Sequence, residues 1–528
     1  MPDAGLVVIN ANVVTLNDKQ PRAQAIAIRH GKIVAVGTNE EVNKHAGPAT
    51  KIIDAKGKTM VPGLVDCHVH MTGLGYSAKS LDWTDTYSIK DAQEKLRTYA
   101  TDNSEKEWIT GGRWNQERFA EKRLPTRRDL DEIVKDKPVC LMRVCGHIGV
   151  ANSRALQIAG IAKNTVVEGG EIDLDARTGE PTGILRENAL ELIWKVMPKP
   201  SQKELEEACL AACQKAVEVG LTCVHWMVTS RNEIRALQNL HSKGKLPLRV
   251  CLGIAIEFLD QLTGLKFVTG YGDGMLKIGF MKILADGSLG AQTAALREPY
   301  SDKPETNGML LYTQRKLNTL VSRAHQAGLQ VAIHAIGDRA VDSVLKAYEK
   351  ALEEHPRENH RHRIEHCSVL NPKLIKRMKR LNLVASVQPH FVVSDFWALD
   401  RLGESRIRWM FPFKTLMQEQ IVVTSGSDCP VEPINPILGI WAAVARKTVP
   451  EERLSIEEAL KTYTLNAAFA SFDEDRRGTL KAGKLADLTV LSDDPFSVAP
   501  DDIRSIRVEM TMVNGEIVYS RQHSQRVT

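Results

Sequence analysis

Val61-Pro62-Gly63-Leu64-Val65-Asp66-Cys67-His68-Val69-His70 ends an apolar run on two histidines set two residues apart. Strand side chains alternate between faces, so His68 and His70 point one way while Cys67 and Val69 point the other. Two imidazoles side by side at a strand end can hold a transition metal. The plainer alternative is a pair of polar residues stabilising a turn, and the rest of the chain decides between the two.

Matching pieces follow in order. Gly328-Leu329-Gln330-Val331-Ala332-Ile333-His334 reads as a buried strand closed by a histidine, as does Arg361-His362-Arg363-Ile364-Glu365-His366. Ile421-Val422-Val423-Thr424-Ser425-Gly426-Ser427-Asp428 runs into an aspartate, and Lys282 sits inside the apolar run Leu276 to Leu284. Four imidazoles and one carboxylate form a borderline-soft ligand set that suits zinc, with iron or manganese as alternatives.

His68-Val69-His70, Lys282 with Ala285-Asp286-Gly287-Ser288-Leu289-Gly290, His334-Ala335-Ile336-Gly337-Asp338, Glu365-His366 and Gly426-Ser427-Asp428 stand in one order along the chain. In that order they resemble the amidohydrolase superfamily of metal-dependent hydrolases. The resemblance is closer to its amidohydrolase-3 type subgroup, which contains N-substituted formamide deformylase. It covers nearly the whole chain.

Bulk properties bound the alternatives. A chain of 528 residues is long enough for a large core and about three domains. A net charge of +5 is small for that size and argues against a nucleic-acid footprint. Nine cysteines without paired spacing suit a reducing compartment. The N-terminus has no basic flank before Leu6-Val7-Val8-Ile9, and no apolar run reaches the ~18 residues of a membrane span. These features predict a cytoplasmic protein with a small-molecule substrate and no nucleic-acid or membrane partner; a homodimer is compatible with them.

The middle of the chain alternates strands and helices. Strands are predicted at His68, Gly220 to Met227, Leu248 to Ile256, Lys277 to Leu284, Leu329 to His334, His362 to Cys367, Leu383 to Gln388 and Ile421 to Thr424. Helices are predicted over Thr313 to Ala327 and Ala340 to Glu354. Eight parallel strands with crossover helices read as an α/β fold, a (β/α)8 TIM-type barrel. A doubly wound sheet is the alternative, but ligands from the first, fifth, sixth and eighth strands converge only if the sheet closes. Short strands at both ends, such as Ala25 to Arg29 and Ala486 to Leu491, predict one composite β-sandwich, which the family resemblance also implies. The predicted division is 1–62 and 476–528 for the sandwich, 63–75 for the first barrel strand, 76–200 for an inserted α+β subdomain and 201–475 for the rest of the barrel. Gly73-Leu74-Gly75-Tyr76-Ser77-Ala78 fits a loose dinucleotide-binding pattern, but its strand already ends in the metal-ligand pair.

His68, His70 and Asp428 form the expected first metal site. His334 and His366 either hold a second metal or help hold the first. Lys282 has three readings: a substrate contact, a salt bridge to Asp286, or a carboxylated bridge between two metals. The last is implied by binuclear members of the superfamily, where a lysine on the fourth strand is carboxylated. The expected complement is therefore two zinc ions per chain. Such metals activate water and polarise a scissile carbonyl. Asp428 is the expected proton shuttle, with His390 or Glu365 as alternatives. His390 either contacts substrate or bonds a loop carbonyl. Ser288 is expected to line the pocket. His147 and Trp114 lie in segments that the resemblance places over the site, with roles left open. The expected reaction is hydrolysis of a C–N bond in an amide, formamide or cyclic amide. A mononuclear aminohydrolase acting on a heterocycle is the nearest competitor. A non-catalytic scaffold is disfavoured by the complete ligand set.

Overall fold

The computed structural model describes residues 3–77 and 80–521. Eight strands form one parallel sheet in chain order: β1 (Leu64–Val69), β2 (Leu221–Val228), β3 (Arg249–Ala255), β4 (Leu276–Leu284), β5 (Gln330–Ala335), β6 (Arg363–His366), β7 (Val384–Val387) and β8 (Val422–Ser425). Strands covered on both faces read as continuous apolar runs, which is why alternation is weak in β4 and β5. Helices Gln314–Gln326 and Asp338–Glu354 fall where the apolar spacing predicts them, and Thr313 caps the first.

Side-chain and loop contacts join the last strand to the first. Asp428 N donates to His68 O at 2.7 Å. The buried Asp66 carboxylate accepts His68 N at 3.0 Å, Ser427 N at 3.1 Å and Ser427 Oγ at 2.5 Å. Burial pushes the Asp66 carboxyl up to about 7, with these donors opposing the rise. Gly426 permits the approach: a Cβ there would lie 2.5 Å from His68 N. The sheet is thus the expected (β/α)8 barrel rather than a doubly wound sheet.

The run from Val61 to His70 is two strands, not one. Thr59–Pro62 pairs antiparallel with Leu488–Leu491, while Leu64–Val69 enters the barrel. Pro62 has no N–H with which to carry a ladder onward. His70 lies just past the end of β1, before the helix Met71–Ser77. That helix occupies the glycine-containing stretch; Ala78 falls outside the described residues.

The termini share a sandwich. One sheet orders Lys32–Gly37, Ala25–Arg29, Leu6–Ile9 and Lys51–Asp54. The other joins C-terminal strands to Thr59–Pro62 and Asn12–Val14. Val8, Ile26, Met60, Leu488 and Met512 pack between them. The C-terminal strand Val508–Val513 begins shortly after a 3-10 helix, Pro500–Ser505. The insert is built on a six-stranded sheet whose central strands include Ile109–Trp114 and Val139–Arg143. Among the described residues, no helix is long and apolar enough to cross a membrane.

At the N-terminal ends of β5 and β6, His325 Nδ1 lies 2.9 Å from His362 Nε2, and His360 Nδ1 accepts His362 N at 2.9 Å. Burial depresses all three imidazoles, His360 to about 4. The unfolded chain takes up these protons first, near its ordinary value of ~6.5, so stability falls as pH drops from there toward about 4. His360→Gln, whose amide oxygen can still accept His362 N, should flatten this fall. The check is the melting temperature against pH for both proteins; equal slopes would contradict the assignment.

Candidate metal centre

The centre sits at the C-terminal ends of the barrel strands, where side chains from several strands converge. His70 Nε2 lies 3.1 Å and His68 Nε2 3.4 Å from Asp428 Oδ1. These three residues offer donor atoms all within 4.8 Å of one another. Burial pushes the Asp428 carboxyl up, but His68, His70 and Lys282 outweigh it and bring it down to about 2.

His68 is oriented from below. Its Nδ1 lies 2.5 Å from Glu365 Oε2, and a carboxylate only accepts, so Nδ1 carries the proton. The Nε2 lone pair is left facing Asp428 and Lys282, the arrangement metal-binding histidines need. Glu365 is itself fixed by Arg363, whose Nε donates to Oε1 at 2.7 Å. Arg363 also donates to Cys67 O at 2.7 Å and Ser386 Oγ at 2.9 Å, and approaches His225 Nδ1 at 2.9 Å. His225 therefore belongs to the barrel interior, outside the ligand cluster. Glu365 is buried and committed to this network, which makes it a positioning residue rather than the alternative proton carrier. Sequence reading missed that role. The available signal was Arg363 and Glu365 two apart on one apolar strand, facing one interior that cannot leave either charge unpaired.

His334 Nε2 meets Gly287 O at 3.0 Å, so the proton is on Nε2 and Nδ1 holds the lone pair. The His366 ring lies 4.4 Å from that of His334 and 4.8 Å from that of His68, centroid to centroid. His366 Nδ1 is buried with no hydrogen-bond partner. Burial holds His68, His334 and His366 well below their ordinary range, in the neutral form a metal requires. Lys282 Nζ lies 3.4 Å from His68 Nε2, and burial lowers it to about 8. Neutral imidazoles, an ionised carboxylate and an orphaned ring nitrogen fit a transition metal. The expected alternative of a Lys282–Asp286 salt bridge does not form. Asp286 instead accepts Ala295 N, Ile336 N and Gly337 N at 2.9–3.0 Å.

A cavity of about 270 Å³ opens above the cluster. His147, Ser288 and His390 line it. His147 Nδ1 lies 2.7 Å from Glu187 Oε2; burial opposes its charge, but Glu187 wins and raises it to about 9. His390 Nδ1 bonds Glu432 rather than a loop carbonyl. Trp114 does not line the cavity, and this corrects its expected place over the site. Its indole is fully buried, with Nε1 donating to Leu141 O at 2.9 Å in the core of the insert. Strand alternation explains the swap: Arg113 and Asn115, on either side, line the cavity instead.

The Amidohydrolase family profile matches residues 51–519. A putative amidohydrolase, YtcJ, of Bacillus subtilis is 37% identical, covering 96% of this chain and 98% of that protein. N-substituted formamide deformylase of Arthrobacter pascens is 29% identical over 98% of this chain and 99% of its own length. The crystal structure of an uncharacterised metal-dependent hydrolase from Pyrococcus horikoshii superposes with a TM-score of 0.77 at 32% identity, covering 94% of this chain and 99% of that one. Together with the barrel and its strand-end ligands, these matches show that the chain belongs to the amidohydrolase family and is a metal-dependent hydrolase acting on carbon–nitrogen bonds.

Proposed function

We propose that the chain hydrolyses the C–N bond of an amide, formamide or cyclic amide small enough for this cavity, using two zinc ions bridged by a carboxylated Lys282. The observation that carries this reading is the convergence on His68 Nε2. Asp428 Oδ1 and Lys282 Nζ each stand 3.4 Å from it, with His334 and His366 beside them. A lysine amine depressed by burial reacts more readily with carbon dioxide than an ammonium does. His68, His70 and Asp428 would hold one ion; His334, His366 and the modified Lys282 would complete the second position. When bound, the metal activates water and polarises the scissile carbonyl. Asp428 then takes the water's proton and returns it to the departing nitrogen, which an amide needs because an amine anion leaves poorly. Nine free cysteines support a cytoplasmic location.

A mononuclear aminohydrolase is the second reading, favoured by one observation: only His68, His70 and Asp428 form a tight donor cluster among the described residues. Metal content separates the two. Lys282→Ala should drop the complement from about two ions to about one per chain, with partial rescue of activity by short carboxylic acids. Elemental analysis showing no loss, or an unmodified amine in an experimental density map, would refute the bridge. Turnover of N-acyl, N-formyl and cyclic amides by metal-loaded enzyme tests the reaction class itself.

A further inference from the structure

The insert gives the cavity three arginines, Arg113, Arg118 and Arg143, that the hydrolytic chemistry above does not use. Arg143 ends the insert strand Val139–Arg143 and is only 2% exposed. Its Nε donates to Gln116 Oε1 at 2.8 Å and its Nη2 to Asn115 Oδ1 at 3.4 Å. Both partners are neutral. Among the described residues no carboxylate forms an ion pair with Arg143, and a buried cation without a counter-charge is costly. Arg113 repeats the pattern, with a buried Nε that has no partner.

The acids nearby are committed elsewhere. Glu432 bonds His390, Glu117 bonds Arg401, and Asp428 belongs to the metal centre. Asp395 also lines the cavity; burial and the neighbouring Glu432 drive its carboxyl up, while Arg143 and Arg401 oppose the rise without forming an ion pair with it. Space is kept for the guanidinium by Gly290, where a Cβ would lie 2.7 Å from Nη1 and 2.9 Å from Nη2 of Arg143. Gly290 follows closely on Gly287, whose carbonyl meets His334, so the guanidinium is held at the edge of the metal centre. The cavity also has an apolar wall of Phe391, Val393, Phe396 and Trp397, with Phe396 59% exposed.

We infer that this cavity takes amides that carry a carboxylate beside an apolar group, as N-formyl or N-acyl derivatives of apolar amino acids do, with Arg143 and Arg113 holding the carboxylate. A planar guanidinium fork matches a carboxylate through two parallel hydrogen bonds. The scissile bond in this inference rests on the amide reading of the site; the carboxylate grip does not.

The test pairs N-formylphenylalanine with N-formylphenethylamine, its counterpart lacking the carboxylate. Metal-loaded wild type should prefer the first by about 10²-fold in kcat/KM, expressed mainly in KM. Arg143→Gln should collapse that preference, and Arg143→Lys, which keeps charge without the fork, should fall between. Arg113→Gln serves where the buried Arg143 variant does not fold. Calorimetric binding of 3-phenylpropionate needs no turnover and should weaken by about 10²-fold in Arg143→Gln. If neither amide is cleaved but this binding still depends on the arginines, the amide reading fails and the carboxylate site stands. Equal turnover of the two amides, or 3-phenylpropionate binding unchanged in both arginine variants, would overturn the inference.

Discussion

Asp428→Asn is expected to lower kcat by at least ~10²-fold, the lower end for loss of a general base, while most of the metal stays bound. Asparagine keeps the size and one oxygen of the side chain but cannot accept a proton. Asp428 is the only carboxylate in the ligand cluster, and it lies within reach of both His68 and His70. Its carboxyl is brought down to about 2 within this cluster, so it enters the reaction ionised and able to take a proton. Substrate binding should change less than kcat, because the lost interaction acts mainly in the transition state. Steady-state kinetics beside elemental analysis check both halves. Near-normal kcat would show that another group, such as His390 on the cavity wall, moves the proton.

The double change His68→Ala with His70→Ala is expected to remove most of the metal and abolish turnover. The argument is structural as well as chemical. His68 links the ligand cluster to the buried Glu365–Arg363 network, so its loss strands a carboxylate beneath the site. His70 faces outward, its side chain 40% exposed, and can be lost with less strain. The single changes should therefore differ: His68→Ala should cost stability as well as metal, and His70→Ala mainly metal. Metal per chain and melting temperature for the two single variants and the double variant check this. Full metal content in the double variant would sink the ligand assignment.

Much of the centre is legible in sequence because a parallel barrel places strand ends together. His68, His334, His366 and Asp428 each stand at or just after the end of a recognisable apolar run, and a closed sheet is enough to gather them. Lys282 is legible for the opposite reason, as a charge inside such a run. What was not legible depends on partners distant in sequence. Asp66 stitches β1 to Ser427, and Glu365 steadies His68, across gaps of 361 and 297 residues. Nothing local marks Asp66 as more than a buried polar residue, and the Arg363-Ile364-Glu365 spacing marks a buried ion pair without naming His68 as its target. Trp114 was misplaced because the segment Arg113-Trp114-Asn115 names a strand without saying which of its faces meets the cavity. The break at Pro62 was missed because two apolar strands separated by Gly63 read as one when only hydrophobicity is followed.

Anomalous-scattering data collected at the zinc edge from crystals of the purified enzyme test the central claim most directly. The account predicts a strong peak bounded by His68, His70 and Asp428, a second near His334 and His366, and density extending from the Lys282 amine. A structure with no peak among these side chains, or with zinc bound only elsewhere on the protein, would contradict it.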